Sequence, residues 1–380
     1  MNKLFKSDQW TSHPLIEVAT LQRGYDLPVQ DRNVGSFPIF AANGPVGFHD
    51  TAKCKGPGVV TGRSGTIGKV QFVEGDYWPL NTSLYVTDFH GNHPKWVYYM
   101  LQSFGLEKYA QGAGVPTLNR NLVHHEPVRV PPLEEQRRIA AILDQAETLR
   151  TQRRSALALL DSLTQSLFLE MFGDPVANPK GWGMSTIGDL AEVQGGLQVT
   201  SARKNLPVEV PYLRVANVYR GVLDLSEIKT IRATPAEMQR TTLVNNDLLV
   251  VEGHGNPNEI GRAALWNGEI EQCVHQNHLI RARFDCTKVE PVFASEYVNS
   301  PGGRQHLLRA GKSTSGLNTI SVSNVRETPI ALPPLPLQQS FATRIAAIEA
   351  LKATHRRALA ALDELFASLQ QRAFAGALST

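Results

Sequence analysis

Two stretches of this chain begin alike. PVRVPPLEEQRRIAAILDQAETL occupies residues 127–149, and PIALPPLPLQQSFATRIAAIEAL occupies residues 329–351. Aligned without a gap over 127–174 and 329–376, they share about 18 of 48 residues. The matches include Pro131/Pro333, Pro132/Pro334, Leu133/Leu335, Gln136/Gln338, Glu147/Glu349, Asp161/Asp363 and Phe172/Phe374. A repeat at this distance divides the chain into two related halves, so whatever fold serves one half must serve the other.

After each Pro-Pro pair the pattern is helical for about 40 residues. Proline tolerates the first helical turn and forbids helix before it, which sets the start. Glu134 and Glu135 suit the positive end of the first helix. Phe172-Gly173-Asp174-Pro175 reads as a glycine stop followed by a proline. Steps of four and three pick out Ile142, Ala146, Leu149, Arg153, Ala156, Leu160, Leu163 and Leu167 in the first copy. The second copy has Ile348, Leu351, His355, Ala358, Leu362, Leu365 and Leu369. That spacing is a coiled-coil seam, and two such helices, each with a bare apolar stripe, are expected to cover one another. Arg153 and His355 take equivalent places in it. They could form a polar layer that fixes register, but heads snorkelling to water are the preferred reading.

A block of about 130 to 155 residues precedes each helix, rich in short β-branched runs punctuated by Gly, Pro and Asn. Trp10 followed by LIEVATLQRG parallels Trp182 followed by TIGDLAEVQGG. GVVTGRSGTIGKVQF at 58–72 parallels DLLVVEGHGNPNEIGRAALW at 247–266. TLNRN at 117–121 parallels GLNTI at 316–320. A chain of 380 residues exceeds one compact core, and the layout reads as block, helix, block, helix. Neither block strays far from neutrality and the net charge is +3, so any basic surface has to be assembled by folding. No run nears the roughly 18 apolar residues of a membrane span, and the N-terminus lacks a secretory signal pattern. Three scattered cysteines form no disulfide framework. A cytoplasmic location is expected.

The doubled PPLxxQ entrance, the paired GTIG and NEIG loops, the paired TLN and GLN segments and the half-and-half layout resemble the specificity subunit of type I restriction–modification systems. The resemblance covers nearly the whole chain and lies in the arrangement more than in any one motif. It implies an α+β fold: two pseudo-repeated mixed α/β target-recognition domains separated by two long antiparallel coiled-coil helices. The domains would be 1–130 and 175–331, and the spacer helices 131–174 and 332–376. It further implies a non-catalytic subunit that binds double-stranded DNA, each domain reading half of a bipartite, asymmetric site. Two methyltransferase (modification) subunits would dock on the helices, and restriction subunits could join. S-adenosylmethionine, ATP and Mg are then expected on those partners, with no cofactor in this chain. A helix of about 40 residues is about 60 Å long, against about 34–36 Å for one turn of DNA, which suits a ruler between half-sites.

Gly-rich loops allow close backbone approach to phosphates, while Arg, Lys, Asn and Gln read base edges. The first block offers Asn43, Arg63, Ser64, Lys69, Asn119 and Arg120. The second offers Arg214, Asn217, His254, Asn256, Arg262, Lys312, Ser313 and Asn318. Leu157, Leu359, Phe172 and Phe374 are expected on the outer helix faces that meet the modification subunits. Other motifs fail on inspection. AGKST at 310–314 ends like a phosphate-cradling loop, but His306 stands where its first glycine is required. Cys273, His275, His278 and Cys286 lie on a strand pattern that splits them between faces, against a zinc site. No nucleophile with a base and an orienting group is found, nor the Asn/Asp-Pro-Pro-aromatic motif of an adenine methyltransferase. The rival reading is a coiled-coil adaptor that binds proteins through both blocks.

Overall fold

A computed structural model describes residues 9–112, 114–314 and 317–378. It has two compact units, Met1–Ser155 with Arg356–Thr380, and Ala156–His355. We call them unit 1 and unit 2. The division passes through the two long helices, Leu133–Phe172 and Leu335–Phe374, each 40 residues.

The units repeat one topology. Unit 1 has a four-stranded antiparallel sheet in the order Thr20–Arg23, Ser83–Asp88, Gly58–Gly62, Val70–Val73. Unit 2 has Ala191–Gly195, Leu279–Phe284, Leu248–Val251, Ala263–Leu265 in the same order. Each has a second, three-stranded mixed sheet: Gly44–His49, Phe37–Ala41, Trp78–Pro79, and Lys229–Ala233, Val208–Leu213, Val274–His275. Gly58–Gly62 and Leu248–Val251 are buried throughout, as central strands should be. Each unit's globular part closes on a two-stranded pair, Thr11–Pro14 with Pro127–Val130 and Gly183–Thr186 with Pro329–Leu332. The chain therefore leaves each block beside where it entered and runs straight into a long helix.

The Pro-Pro-Leu entrance now has a physical account. The carbonyls of Pro132 and Pro334 accept the first helical N–H groups, from Glu135 and Gln136 at 2.9 and 3.0 Å and from Leu337 and Gln338 at 2.9 and 3.3 Å. Both glutamines are buried. Gln136 Nε2 donates to Pro131 O at 3.0 Å, and its Oε1 accepts from His93 N at 2.8 Å. Gln338 repeats this on Pro333 O at 2.8 Å and Glu290 N at 2.9 Å. His93 and Glu290 are the N-caps of Pro94–Ser103 and Pro291–Asn299. One side chain thus ties the helix entrance to an orphan N–H of a second helix, a group that otherwise lacks a partner. Gln136→Ala and Gln338→Ala each leave a buried N–H and a carbonyl unpaired, so each should lower stability by about 3 kcal/mol. Urea unfolding measures it, and a loss below about 0.5 kcal/mol would contradict this role.

Within each unit the two helix segments run antiparallel. In unit 1, Arg138 Nη2 donates to Leu378 O at 2.9 Å, and farther along Arg150 Nε donates to Asp363 at 2.6 Å. In unit 2, Lys352 meets Asp161 at 2.8 Å, while Phe172 packs on Phe341 with ring centroids 5.2 Å apart. The two ion pairs occupy repeat-equivalent positions. Each base also binds an acid one turn back on its own helix, Glu147 for Arg150 and Glu349 for Lys352 at 2.8 Å. The bases of this layer are largely buried while their acids are solvent-accessible, so the pairs add little net stability but disfavour slipped registers, where a buried base would lose its partner.

Part of the expected seam is packed, with Ala146, Leu167 and Ile348 buried, and part is not. Leu149, Leu163, Leu351 and Leu365 are exposed by 40, 47, 47 and 48%. One residue on from each, Arg150, Thr164, Lys352 and Phe366 turn inward. A polar layer is built by Arg150 with Asp363 and by Lys352 with Asp161. Phe172 is 4% exposed, among Phe168, Phe293 and Phe341, so it does not lie on an outer face as expected. Phe374 is half-buried against Trp96, with centroids 6.3 Å apart. Leu157 and Leu359 are half-buried. Among the described residues no helix is long and apolar enough to cross a membrane.

Candidate nucleic-acid interface

In unit 1 the loop between strands Gly58–Gly62 and Val70–Val73 is the hub. Its start is tied to the TLN segment. Ser64 bridges Thr117, Gly65 N donates to Pro116 O at 2.9 Å, and Leu118 N donates to Arg63 O at 2.8 Å. Its end is tied to the Ala42-Asn43 turn, where Lys69 Nζ donates to Asn43 O at 2.7 Å and Oδ1 at 3.2 Å. All six candidates of the first block therefore share one neighbourhood. Asn43, Lys69, Asn119 and Arg120 are exposed, and Arg63 and Ser64 half-buried. Asn119 Oδ1 accepts from Asn121 N at 3.1 Å, capping Arg120–His124. Arg63 Nη1 donates to Asn81 O at 3.3 Å.

Unit 2 builds the same hub with different side chains. Strand Gly253–His254 pairs with Leu317–Thr319, setting His254 opposite Asn318, and Lys312–Thr314 adds a third strand. The side chains of Lys312 and Ser313 lie outside the described residues. The loop ends at Arg262, whose Nη2 donates to Val215 O at 3.1 Å in the Val215–Asn217 turn. Thus the base after Ile-Gly reaches the Ala-Asn turn in both units. Gly68 and Gly261 hold φ of +86° and +69°, a left-handed turn that a side chain would strain, which accounts for Ile-Gly occurring twice. His254 Nδ1 accepts from Asn256 N at 3.0 Å, and Asn256 Oδ1 from Asn258 N at 3.0 Å.

Two expected base readers are spent internally. Asn217 is 3% exposed: its Nδ2 donates to Asp224 O and Glu227 O, and its Oδ1 accepts from Arg214 N. Arg262 is 6% exposed and sits 3.1 Å from Glu259 and under the Tyr219 ring. That hydrogen bond from Arg262 is the main reason the Glu259 carboxyl lies below its usual range. Both residues shape the loops and do not reach outward. Arg214, half-buried, donates to Glu227 O at 3.1 Å. Tyr219, Arg220 and Arg304, none of them among the candidates above, surround the same loop. An aromatic-basic pair two residues past Asn217 was the available signal.

Comparison with known proteins agrees with this plan. The family model described as type I restriction modification DNA specificity domain matches residues 7–158 and 179–364. The EcoKI specificity subunit of Escherichia coli K12 is 27% identical over 277 residues, 66% of this chain and 58% of the relative. The StySPI specificity subunit of Salmonella potsdam is 26% identical over 275 residues, with the same shares. The matched segment thus spans under two thirds of these relatives. A type I restriction–modification S subunit from M. genitalium has the same fold, with TM-score 0.61, 14% identity and 96% of both chains covered. A chain from a study of type I R-M assembly gives TM-score 0.56 at 17% identity, covering both chains fully. With both halves matched by the family model, over residues that carry the two loop hubs and most of the long helices, the chain belongs to the type I restriction–modification DNA specificity family.

Proposed function

We propose that this chain is the DNA-specificity subunit of a type I restriction–modification complex. Each unit reads one half of a bipartite site, and the two long helices set the gap and carry two methyltransferase subunits. The observation that carries this reading is the duplicated hub: a Gly-rich loop bonded on one side to Thr117–Leu118 or to Asn318–Thr319, and on the other to an Ala-Asn turn. The same scaffold holding different side chains suits two different half-sites. Polar loops with little bulk favour groove and backbone contact. The chain itself does no chemistry on this reading. S-adenosylmethionine sits on the modification subunits, which flip an adenine out of the duplex to methylate it. ATP and Mg belong to restriction subunits, and the complex works in the cytoplasm.

A protein adaptor would also use paired helices, but it has no need of two matched polar hubs. The discriminating experiment is a gel shift with methyltransferase partner present. The chain alone should bind DNA weakly, with affinity falling steeply as salt rises, and the assembled complex should select one sequence. Tight, salt-insensitive binding by the lone chain, or an assembled complex without sequence preference, would contradict the proposal.

A further inference from the structure

Three arginines of unit 2 converge on one turn, Pro257–Glu259, next to the strand Gly253–His254. Arg262 binds Glu259 at 3.1 Å. Arg220 lies 3.9 Å from the same carboxylate and donates to Asn258 O at 3.3 Å. Arg304 donates to Asn258 O and, at 3.3 Å, to Ile260 O. Arg262 and Arg220 share the Glu259 carboxylate while Arg304 holds carbonyls of the same turn, so these four side chains together carry about two positive charges in excess, in a chain whose net charge is +3. Like charges held this close oppose one another: burial first, and Arg220 second, hold the Arg304 guanidinium below its usual range. Arg262 is sealed in, its side chain only 7% exposed. Arg220 is not, at 35%, and Tyr219 beside it is 49% exposed.

We infer that Arg220, backed by Arg304, is a phosphate clamp that grips the DNA backbone beside the loop carrying His254 and Asn256. The inference rests on the proposed reading of unit 2 as a DNA-reading domain, and names residues that reading did not include. A guanidinium fork matches two phosphate oxygens and is less strongly hydrated than an ammonium. Arg262 commits Glu259 from behind, so the shared carboxylate does not repel an incoming phosphate as a free one would. A backbone grip sets where the domain sits on the duplex without choosing bases.

The test uses the chain assembled with its methyltransferase partner and a short duplex carrying the recognised site. Arg220→Gln should flatten the slope of log affinity against log salt by about 0.9, the value for one phosphate contact, with the recognised sequence unchanged. Arg220→Lys should restore most of the slope, because charge is what releases the counterion. Arg220 belongs to a turn held by its backbone, Tyr219 N to Val222 O at 2.8 Å, and its long side-chain bond to Asn258 O is part-exposed, so both variants should melt close to the wild type. An unchanged slope in Arg220→Gln overturns the clamp alone. So does a changed recognition sequence, which would make Arg220 a base reader. A wild-type complex that shows no sequence preference overturns the underlying reading and the clamp together.

Discussion

Replacing residues 182–328 with the equivalent block of another member of the family should exchange one half of the recognised DNA site and leave the other half as it was. The fold is built for such a graft. Strand Gly183–Thr186 pairs along its length with Pro329–Leu332, so the ends of the block lie side by side and are joined by backbone hydrogen bonds, which any side chains permit. The block encloses its own sheet and its own hub. One contact demands care. Phe293 packs on Phe168 and Phe172, at 6.0 and 4.7 Å between centroids, and a donor without an aromatic residue there leaves a cavity costing about 3–5 kcal/mol. Methylome sequencing of a host carrying the chimera reads the result. Both halves altered, or neither, would refute independent half-site reading.

Lengthening both helices by one heptad, after Ser155 in the first and after His355 in the second, should widen the gap between half-sites by about three base pairs. Seven residues add about 10.5 Å of helix, and a base pair rises about 3.4 Å. Seven is also close to two whole turns, so the faces stay nearly aligned. Both ion pairs survive, because Arg150 and Asp363 belong to unit 1 and Lys352 and Asp161 to unit 2. Inserting the heptad in one helix only shifts one strand of the layer against the other and strands buried charge, for which loss of modification is expected. An unchanged gap in an active complex with both insertions would rule out the helices as the ruler.

Much of this was legible because the chain writes it twice. The Pro-Pro-Leu entrances, the two helices and the Gly-rich loops stand out by repetition alone, and each copy supports the other. The matched Gln136 and Gln338 were visible as a pair, but their targets, His93 N and Glu290 N, lie more than forty residues upstream and no local pattern points there. The seam was legible at Ala146, Leu167 and Ile348, which are buried, and misplaced elsewhere for a related reason. Leu149 and Leu351 look like seam residues, yet the inward place goes to Arg150 and Lys352, whose acids come from the other helix. A lone basic residue on a helix ordinarily reads as solvated. Nor can residue type separate readers from builders. Asn217 and Arg262 have the chemistry to read bases, but internal carbonyls and Glu259 consume it. Tyr219 and Arg220 were overlooked because the second hub is assembled from four separate parts of the chain.

The claim on which all else depends is that this one chain confers a two-part DNA address. Its most direct test is the methylome of a host with the chain present and with it deleted, modification subunits intact. The account predicts that deletion erases methylation at a single motif made of two dissimilar halves at an invariant gap. A methylome unchanged by deletion, or a lost motif that is continuous or palindromic, would contradict it.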